Sequence, residues 1–344
     1  MVDVAIARIV ECHGSPAAMG ETHGEATRDL IAETLDLWRT LISGRTPAEI
    51  DPIGRLLAGT DFVPAIERHA PDLLEEVRGI ARGANQPFDT MLVYNLMDEE
   101  WSFRTGRLGP GCTAIAMQGV GIAQTMDIPS VHDGSQIALR LRPERGPEQI
   151  VFTGAGMLGL NGANRNGVGV VVNNLAQLPA SPTGLPVMFV LRSILSQKSA
   201  GEAAAFVKSV PHAIGQHYMT GDPDQIVSLE AAANGVYEAP ITQRYVHANH
   251  PLANLASLSD APDLERRSNT HARSDAATAL VRDGSDQRDI ERVLEDRTAP
   301  ISCAKSEGSM TFGGTSIELR SEPRVRIAFG PPHEAPWTDI PWSA

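Results

Sequence analysis

The sequence predicts an α+β protein in which helices and strands form stacked layers of one compact unit. The residues before Gly111 carry the spacing of amphipathic helices, and short strand-like segments with glycine-rich turns follow it. Helices and strands then return in blocks, unlike the regular alternation of βαβ units. The length of 344 residues allows one large domain or two of ordinary size, and no repeat or low-complexity linker divides the chain.

The N-terminal hundred residues predict one strand followed by four helices. Residues 4–12 alternate as a strand does and end in a turn at His13 to Pro16. Apolar residues from Leu30 to Ile42 recur at intervals of three and four, which predicts an amphipathic helix that Gly44 closes. Three more helices are predicted, after Asp61, after Pro71 and over residues 89–101.

The remaining chain predicts a sheet-rich region with helices between its strands. The predicted strands cover residues 112–118, 122–128, 135–141, 149–153, 167–173, 218–220, 226–232, 235–240, 310–319 and 324–330. The predicted helices cover residues 186–197, 199–210, 267–282 and 288–295.

Charge and composition argue against several classes of partner. The net charge is −13 and the 29 Lys and Arg residues are scattered, so no basic patch for nucleic acid is expected. No basic segment followed by an apolar one opens the chain, and no run of 18 apolar residues occurs. We therefore expect a cytoplasmic protein without a membrane partner.

Metal and dinucleotide sites are not expected. The three cysteines form no CxxC pair, and the ten histidines include no HExxH motif. Gly154-Ala-Gly156-Met-Leu-Gly159 matches the GxGxxG fingerprint, but turn-forming residues follow it instead of a helix. No Asp or Glu lies between Glu148 and Glu202 to bind a ribose. The sequence thus predicts no cofactor, and residues 161–169 are interpreted as a loop.

Cys112 follows Gly-Pro-Gly at the start of a predicted strand. Gly119-Val120-Gly121 predicts a hairpin turn, and counting back from it puts Cys112 opposite Asp127 or Ile128. The local sequence leaves two interpretations open. Cys112 can be a small buried residue, which is the simpler one, or a nucleophile that cuts the chain after Gly111. An N-terminal cysteine carries its own general base, because an α-amine has a pKa of about 7.7–8.0.

A series of short motifs gives the chain a wider resemblance. In order, they are Gly14-Ser-Pro-Ala-Ala-Met-Gly20, His23-Gly24-Glu25, Glu75-Glu-Val-Arg-Gly-Ile-Ala-Arg-Gly83, Gly111-Cys112-Thr113, Gln124-Thr-Met-Asp127, Gly162-Ala-Asn-Arg-Asn-Gly-Val-Gly169, Asn173-Asn174, His247-Ala-Asn249-His250 and Thr270-His-Ala-Arg273. Their order and spacing resemble the isopenicillin N acyltransferase-like N-terminal-nucleophile (Ntn) hydrolases, which are related to choloylglycine and penicillin V amidases. The resemblance covers almost the whole chain.

The resemblance implies a four-layer αββα sandwich that cuts itself between Gly111 and Cys112. Residues 1–111 would become a mostly helical small subunit, and residues 112–344 a large subunit that begins with the nucleophile. Both parts would belong to one αββα domain.

The resemblance also implies roles for individual side chains. Asp127 would hold the new α-amine, and Asn249 would donate into the oxyanion hole. Asn174 would lie at the substrate pocket with its backbone amide near that hole. Arg273 would steady the nucleophile or the Asn249 segment. At the substrate-binding positions, Gln124 stands where bile-salt amidases have arginine, and Thr125-Met126 stands where the acyltransferases have Asn-Trp.

Ordinary structural roles stay open for several of these residues. Asn249 precedes a turn-like His-Pro, and Arg273 has charged neighbours that suit a solvated helix face. Asn174 can simply end a strand, and His23 is interpreted as a structural histidine. Cys12 and Cys303 are interpreted as inert thiols.

The expected function is that of a self-processing cysteine amidohydrolase, which forms a thioester with the acyl group of a small linear or cyclic amide. Acyl transfer to an amine by the same thioester is the nearest alternative. A binding protein that keeps the fold without cleavage is another. Association into a homo-oligomer is compatible with the sequence.

Overall fold

The computed structural model describes residues 9–44, 51–105, 111–255, 269–306 and 308–344. In this part of the chain, two β-sheets pack face to face and helices cover the outer side of each. The predicted α+β class and αββα layering are thereby confirmed. None of the described helices has the length and apolar character needed to cross a bilayer.

The strands form one eight-stranded and one six-stranded sheet. The first has the order β1-β4-β5-β6-β7-β8-β9-β10, and only its β1–β4 pair is parallel. The second has the order β11-β2-β3-β12-β13-β14 and is antiparallel. The strands are β1 (Ile9–Gly14), β2 (Cys112–Met117), β3 (Gly121–Pro129), β4 (Gln136–Pro143), β5 (Gln149–Gly154), β6 (Asn161–Asn164), β7 (Gly169–Asn174), β8 (Gln216–Gly221), β9 (Ile226–Ala232), β10 (Gly235–Ala239), β11 (Arg244–His247), β12 (Ser309–Glu318), β13 (Arg324–Ala328) and β14 (Trp337–Ile340).

The helices divide between the two outer layers and an N-terminal group. They are α1 (Pro16–Ala26), α2 (Arg28–Ser43), α3 (Pro52–Ala58), α4 (Phe62–His69), α5 (Pro71–Gly83), α6 (Phe88–Tyr94), α7 (Met97–Thr105), α8 (Val187–Ile194), α9 (Ala200–Ser209), α10 (Thr270–Leu280) and α11 (Gln287–Leu294). Helices α1, α8 and α9 pack against the eight-stranded sheet, and α10 and α11 pack against the six-stranded sheet. The sheets meet where β2, β3 and β12 face β6, β7 and β8.

The helix predicted over residues 89–101 is in fact two helices, α6 and α7. Asn95 separates them because its side chain bonds to a neighbouring loop: its Nδ2 donates to the Gly156 carbonyl at 2.9 Å, and its Oδ1 accepts from the Leu158 amide at 2.7 Å. Helix α3 and strands β6, β11 and β14 were not predicted, and residues 161–164 are a strand rather than loop. Residues 4–8 and 267–268 of the predicted elements lie outside the described residues.

The β2–β3 hairpin has a different register from the predicted one. Its turn consists of Gln118, Gly119 and Val120, and Gly121 pairs with Met117 in the ladder. The left-handed backbone of Gly119, with φ of +73°, lets the Val120 amide donate to the Met117 carbonyl. Cys112 therefore lies opposite Met126, and the prediction of Asp127 or Ile128 was wrong.

Helices α1 and α5 touch through their backbones. A Cβ atom on Gly79 would lie 2.2 Å from the Ala17 carbonyl oxygen, and one on Gly83 would lie 2.1 Å from the Glu21 carbonyl oxygen. Gly20 and Gly24 face α5 in the same way. Close packing of α1 against α5 thus explains the spacing of Gly20 and Gly24 in α1 and of Gly79 and Gly83 in α5.

The substitution Gly79→Ala tests this contact. We expect it to destabilise the protein by about 1–3 kcal/mol, because the added methyl group forces the two backbones apart. Urea unfolding followed by circular dichroism measures the change as a lower midpoint.

Gly201→Ala on α9 is the matched control. A Cβ there comes no closer than 3.3 Å, to the movable Gln225 side chain. Alanine should therefore raise stability slightly, by about 0.5–1 kcal/mol, through its helix propensity. Equal midpoints for Gly79→Ala and the unaltered protein would rule out the close packing.

Candidate active site

Cys112 is the first residue of β2 and is buried at one end of the six-stranded sheet. Its backbone amide donates to Oδ1 of Asn249 at 2.7 Å. Its carbonyl oxygen accepts from Nη1 of Arg273 at 2.5 Å. Burial and the neighbouring Asp127 raise the pKa of the thiol to about 12, although Arg273 opposes this rise. In the uncut chain the thiol is therefore protonated at neutral pH.

Arg273 extends from α10 into the interior and is only 1% exposed. Besides the Cys112 carbonyl, Nη1 donates to the Thr113 hydroxyl at 2.9 Å, and Nη2 donates to Oδ1 of Asn249 at 2.8 Å. The solvated helix face considered from the sequence is thus wrong, because this guanidinium joins β2 to the segment after β11. It also explains Gly111, where a Cβ would lie 2.3 Å from Nη2.

Asn249 lies just after β11 and is buried. While its Oδ1 accepts from Cys112 and Arg273, its Nδ2 donates to the backbone carbonyl of Asn174 at 3.0 Å. Its backbone amide donates to the Thr270 hydroxyl at 2.7 Å. These bonds fix the side chain beside the Cys112 amide, so Asn249 is more than a turn residue.

Asp127 lies on β3, one residue beyond the partner of Cys112. Its backbone amide donates to the Gly111 carbonyl at 2.9 Å, and its Oδ1 accepts from the Thr311 hydroxyl at 2.5 Å. Burial raises the pKa of its carboxyl group to about 6, against the effects of Arg273 and Thr311. A backbone donor thus contacts the carbonyl that precedes Cys112, and a carboxyl group lies near the thiol.

A mainly apolar cavity opens beside Cys112. Met126 and Asn174 line it, whereas Gln124 does not. Both ends of the Gln124 side chain instead bond to the backbone of Val172, which links the two sheets. The apolar wall consists of Trp38, Leu41, Ile42, Met97, Trp101, Ile128, Leu160, Val172, Val187, Met188 and Leu191.

Glu230, which the sequence analysis did not select, anchors the segment that carries Asn249. Its buried carboxylate accepts from the backbone amides of residues 252, 253 and 254 at 2.6–3.0 Å and from Nε2 of His247 at 2.8 Å. An acidic residue inside the fully buried strand β9 was the signal available in the sequence. Among the described residues, no cluster of three or more His, Cys, Asp or Glu side chains suits a metal ion.

Comparison with known proteins identifies relatives. A family model described as acyl-coenzyme A:6-aminopenicillanic acid acyl-transferase matches residues 118–332. The 40 kDa form of acyl-coenzyme A:6-aminopenicillanic-acid-acyltransferase from Emericella nidulans is 29% identical over 255 residues, which span 71% of this chain and 70% of the relative.

Solved structures show weaker similarity. The Caenorhabditis elegans ortholog of N-acylethanolamine-hydrolyzing acid amidase has 15% identity and a TM-score of 0.41, with 59% of this chain and 91% of the other covered. Penicillin V acylase from Agrobacterium tumefaciens has 13% identity and a TM-score of 0.34, with 67% and 78% covered.

The substitution Glu230→Gln tests the anchor. We expect it to cost about 2 kcal/mol or more at pH 7, because hydrogen bonds to a charged acceptor are lost. Burial raises the pKa of Glu230, but bonds from His247 and the backbone outweigh burial and hold the pKa below its ordinary value. The ionised anchor thus adds stability above the unfolded pKa of about 4.3, and this stability is lost as the pH falls through the folded value.

The difference in the free energy of unfolding between the unaltered protein and Glu230→Gln should therefore become smaller below about pH 4.3. Urea midpoints at pH 7 and pH 3.5 measure it. Glu238→Gln on β10 is the control, since that carboxylate is half exposed and pairs with Lys208 at the surface. An equal difference in unfolding free energy at pH 7 and pH 3.5 would contradict a charged Glu230 as the anchor.

Proposed function

Because the chain belongs to the acyl-coenzyme A:6-aminopenicillanic acid acyl-transferase family and is an enzyme of the Ntn acyltransferase and amidase type, we propose that it is a self-processing cysteine amidohydrolase. Cys112 is the nucleophile in this proposal. Residues 1–111 become the small subunit and residues 112–344 the large subunit of one domain. The substrate is a small-molecule amide.

The contact that carries the proposal is the hydrogen bond from the Asp127 amide to the Gly111 carbonyl at 2.9 Å. Attack by the Cys112 sulfur on that carbonyl carbon places negative charge on its oxygen, and a donor already aimed at the oxygen stabilises this charge. The carbon–sulfur bond forms, the carbon–nitrogen bond breaks and the nitrogen takes up the thiol proton. The α-amine of Cys112 is then free, and water hydrolyses the thioester to release the Gly111 carboxylate and restore the thiol.

Cleavage gives the Cys112 thiol a general base that the uncut chain does not have. The thiol has a pKa of about 12 in the uncut chain, and burial is the main cause. A free α-amine has a pKa of about 7.7–8.0, so at neutral pH part of it is neutral and can accept the thiol proton. Asp127 is the group that would hold this amine, since its carboxylate acts electrostatically on the Cys112 thiol, and Asn249 already contacts the same nitrogen.

The cleaved enzyme would then act on a substrate amide by the same chemistry. Cys112 attacks the amide carbonyl, the leaving amine takes a proton from the α-amine, and water releases the acid from the thioester. Reorientation of the Asn249 amide group away from Asn174 would free Nδ2 as an oxyanion donor. Met126 and Asn174 would contact the acyl group, because they line the apolar cavity, whereas Gln124 supports the sheets.

Intact mass under denaturing conditions tests self-processing. We expect freshly purified protein to separate into pieces of roughly 12 and 25 kDa, the larger beginning at Cys112. Cys112→Ala should remain a single chain of 36.8 kDa, because the attacking sulfur is missing.

Cys303→Ala is the matched control and should be cut like the unaltered protein. If the chain stays uncut, and if alkylation of Cys112 by iodoacetamide does not change any amide turnover, the result would instead support the non-cleaving binding protein.

Acyl transfer to an amine is a second candidate, favoured by the description of the matching family. We expect hydrolysis to predominate, since water needs no binding cavity of its own. Liquid chromatography with mass spectrometry of an amide reaction, with and without a primary amine, measures acid and new amide. A new amide that replaces most of the acid would establish the transferase instead, and Cys112→Ala should yield neither product.

A further inference from the structure

Asp98 on α7 presents a carboxylate to the active-site cavity without a bonding partner. It lines the cavity and is partly exposed to it. No hydrogen bond or ion pair of Asp98 occurs in the ranges that the structure describes. Burial raises its pKa to about 6, so the group is still mostly ionised above neutral pH. A charge in an apolar wall is costly when nothing compensates it.

The other titratable side chains of this cavity are each accounted for. Glu100 receives two hydrogen bonds from Arg104, and Asp127 is opposed by Arg273 and bonded to Thr311. His132 contacts the Tyr94 hydroxyl at 3.2 Å, and burial lowers its pKa to about 4, which leaves it neutral. Among the described residues that line the cavity there is no Lys or Arg. Within this part of the chain, the negative charge of Asp98 is therefore uncompensated.

Two amide side chains of the same cavity also lack partners. Gln216 is only 1% exposed, and neither its Oε1 nor the Oδ1 of Asn174 has a hydrogen-bond partner. The two residues are paired neighbours on β8 and β7. Both residues line the cavity, and the two unpaired oxygens themselves are buried behind its surface. Buried acceptors of this kind are normally satisfied by a donor.

Asp98 shares the cavity with Cys112, Asn174 and Gln216 and acts electrostatically on the Cys112 thiol and on strand β8. Its charge adds to the rise in the pKa of Tyr218, which burial and Glu99 also cause, and Tyr218 follows Gln216 by two residues on the same face of β8. Asp98 also contributes to the raised pKa of Cys112, after burial and Asp127. One carboxylate thus lies within electrostatic range of both the nucleophile and the Gln216 strand.

We propose that this cavity binds an acyl group that carries a cationic amine, with Asp98 as its counterion and with Asn174 and Gln216, once their amide groups turn toward the ligand, as hydrogen-bond acceptors. The chemistry fits because an ammonium group has three donors and no acceptor. The apolar wall accommodates the carbon chain, and the charge-assisted bond compensates the desolvated carboxylate. This inference rests on the proposed function, since it assigns the cavity to the acyl part of the amide substrate.

A binding experiment tests the cavity without catalysis. Isothermal titration calorimetry at pH 8 compares hexylammonium with 1-hexanol as ligands of Cys112→Ala, which keeps the cavity and removes the thiol. We expect hexylammonium to bind at least about tenfold more tightly. The preference should disappear in the Cys112→Ala/Asp98→Asn protein, with Cys112→Ala/Asp98→Ser as a second variant and thermal unfolding as the check that both fold.

Asp36→Asn, combined with Cys112→Ala, is the matched control, because Asp36 on α2 is 81% exposed. It should keep the full preference for hexylammonium. Equal binding of the two ligands, or a preference that survives both Asp98 substitutions, would overturn the inference.

Rates of amide hydrolysis test whether the cation belongs to the acyl part of the substrate. With a common p-nitroaniline leaving group, the processed enzyme should hydrolyse the 6-aminohexanoyl amide with at least about tenfold higher kcat/KM than the heptanoyl amide, and Asp98→Asn should remove that ratio. A preference found only when the cation is on the leaving amine would overturn the acyl assignment. Binding preference without turnover of any amide would count against the proposed function and leave the cation site standing.

Discussion

The buried guanidinium of Arg273 is the interaction on which the site geometry depends. It bonds both to the strand that starts at Cys112 and to the Asn249 side chain, and it packs against Gly111 where no Cβ could fit. A buried cation is tolerated only when its donors are satisfied, and here they bond to two side-chain oxygens and a carbonyl at the site, with Nε bonded to Asn269. The cost of burying the charge therefore enforces the arrangement of the site.

Glu230 holds the backbone that follows Asn249 in place, just as Arg273 holds the Asn249 side chain. Arg273 fixes the side chain, and Glu230 fixes the backbone of residues 252–254 from the other sheet. Because Glu230 lies on β9 and Arg273 on α10, the segment is held between the two halves of the sandwich. Separation of the sheets would thus displace Asn249 before it exposed most of the core.

The sequence predicted the features that depend on residues close together in the chain. Alternating strands and the Gly-Val-Gly turn located the hairpin of Cys112, but its register depended on which glycine adopts the left-handed backbone, and Gly119 does. Arg273 has charged sequence neighbours, so only tertiary packing distinguishes a buried cation from a solvated one. Strands β11 and β14 have four residues each, too few for a pattern, and they form by pairing with distant partners.

The charges around the thiol explain why its activation would have to come from its own α-amine. Asp127 and Asp98 both oppose ionisation of the Cys112 sulfur, and the nearby cation, Arg273, is bonded to oxygens. A site that depends on a thiolate paired with a cation needs the opposite arrangement. A negative surrounding instead favours a neutral thiol whose proton leaves only during attack, and it stabilises the α-ammonium group that forms when the amine takes up this proton. The same charges favour a cationic substrate.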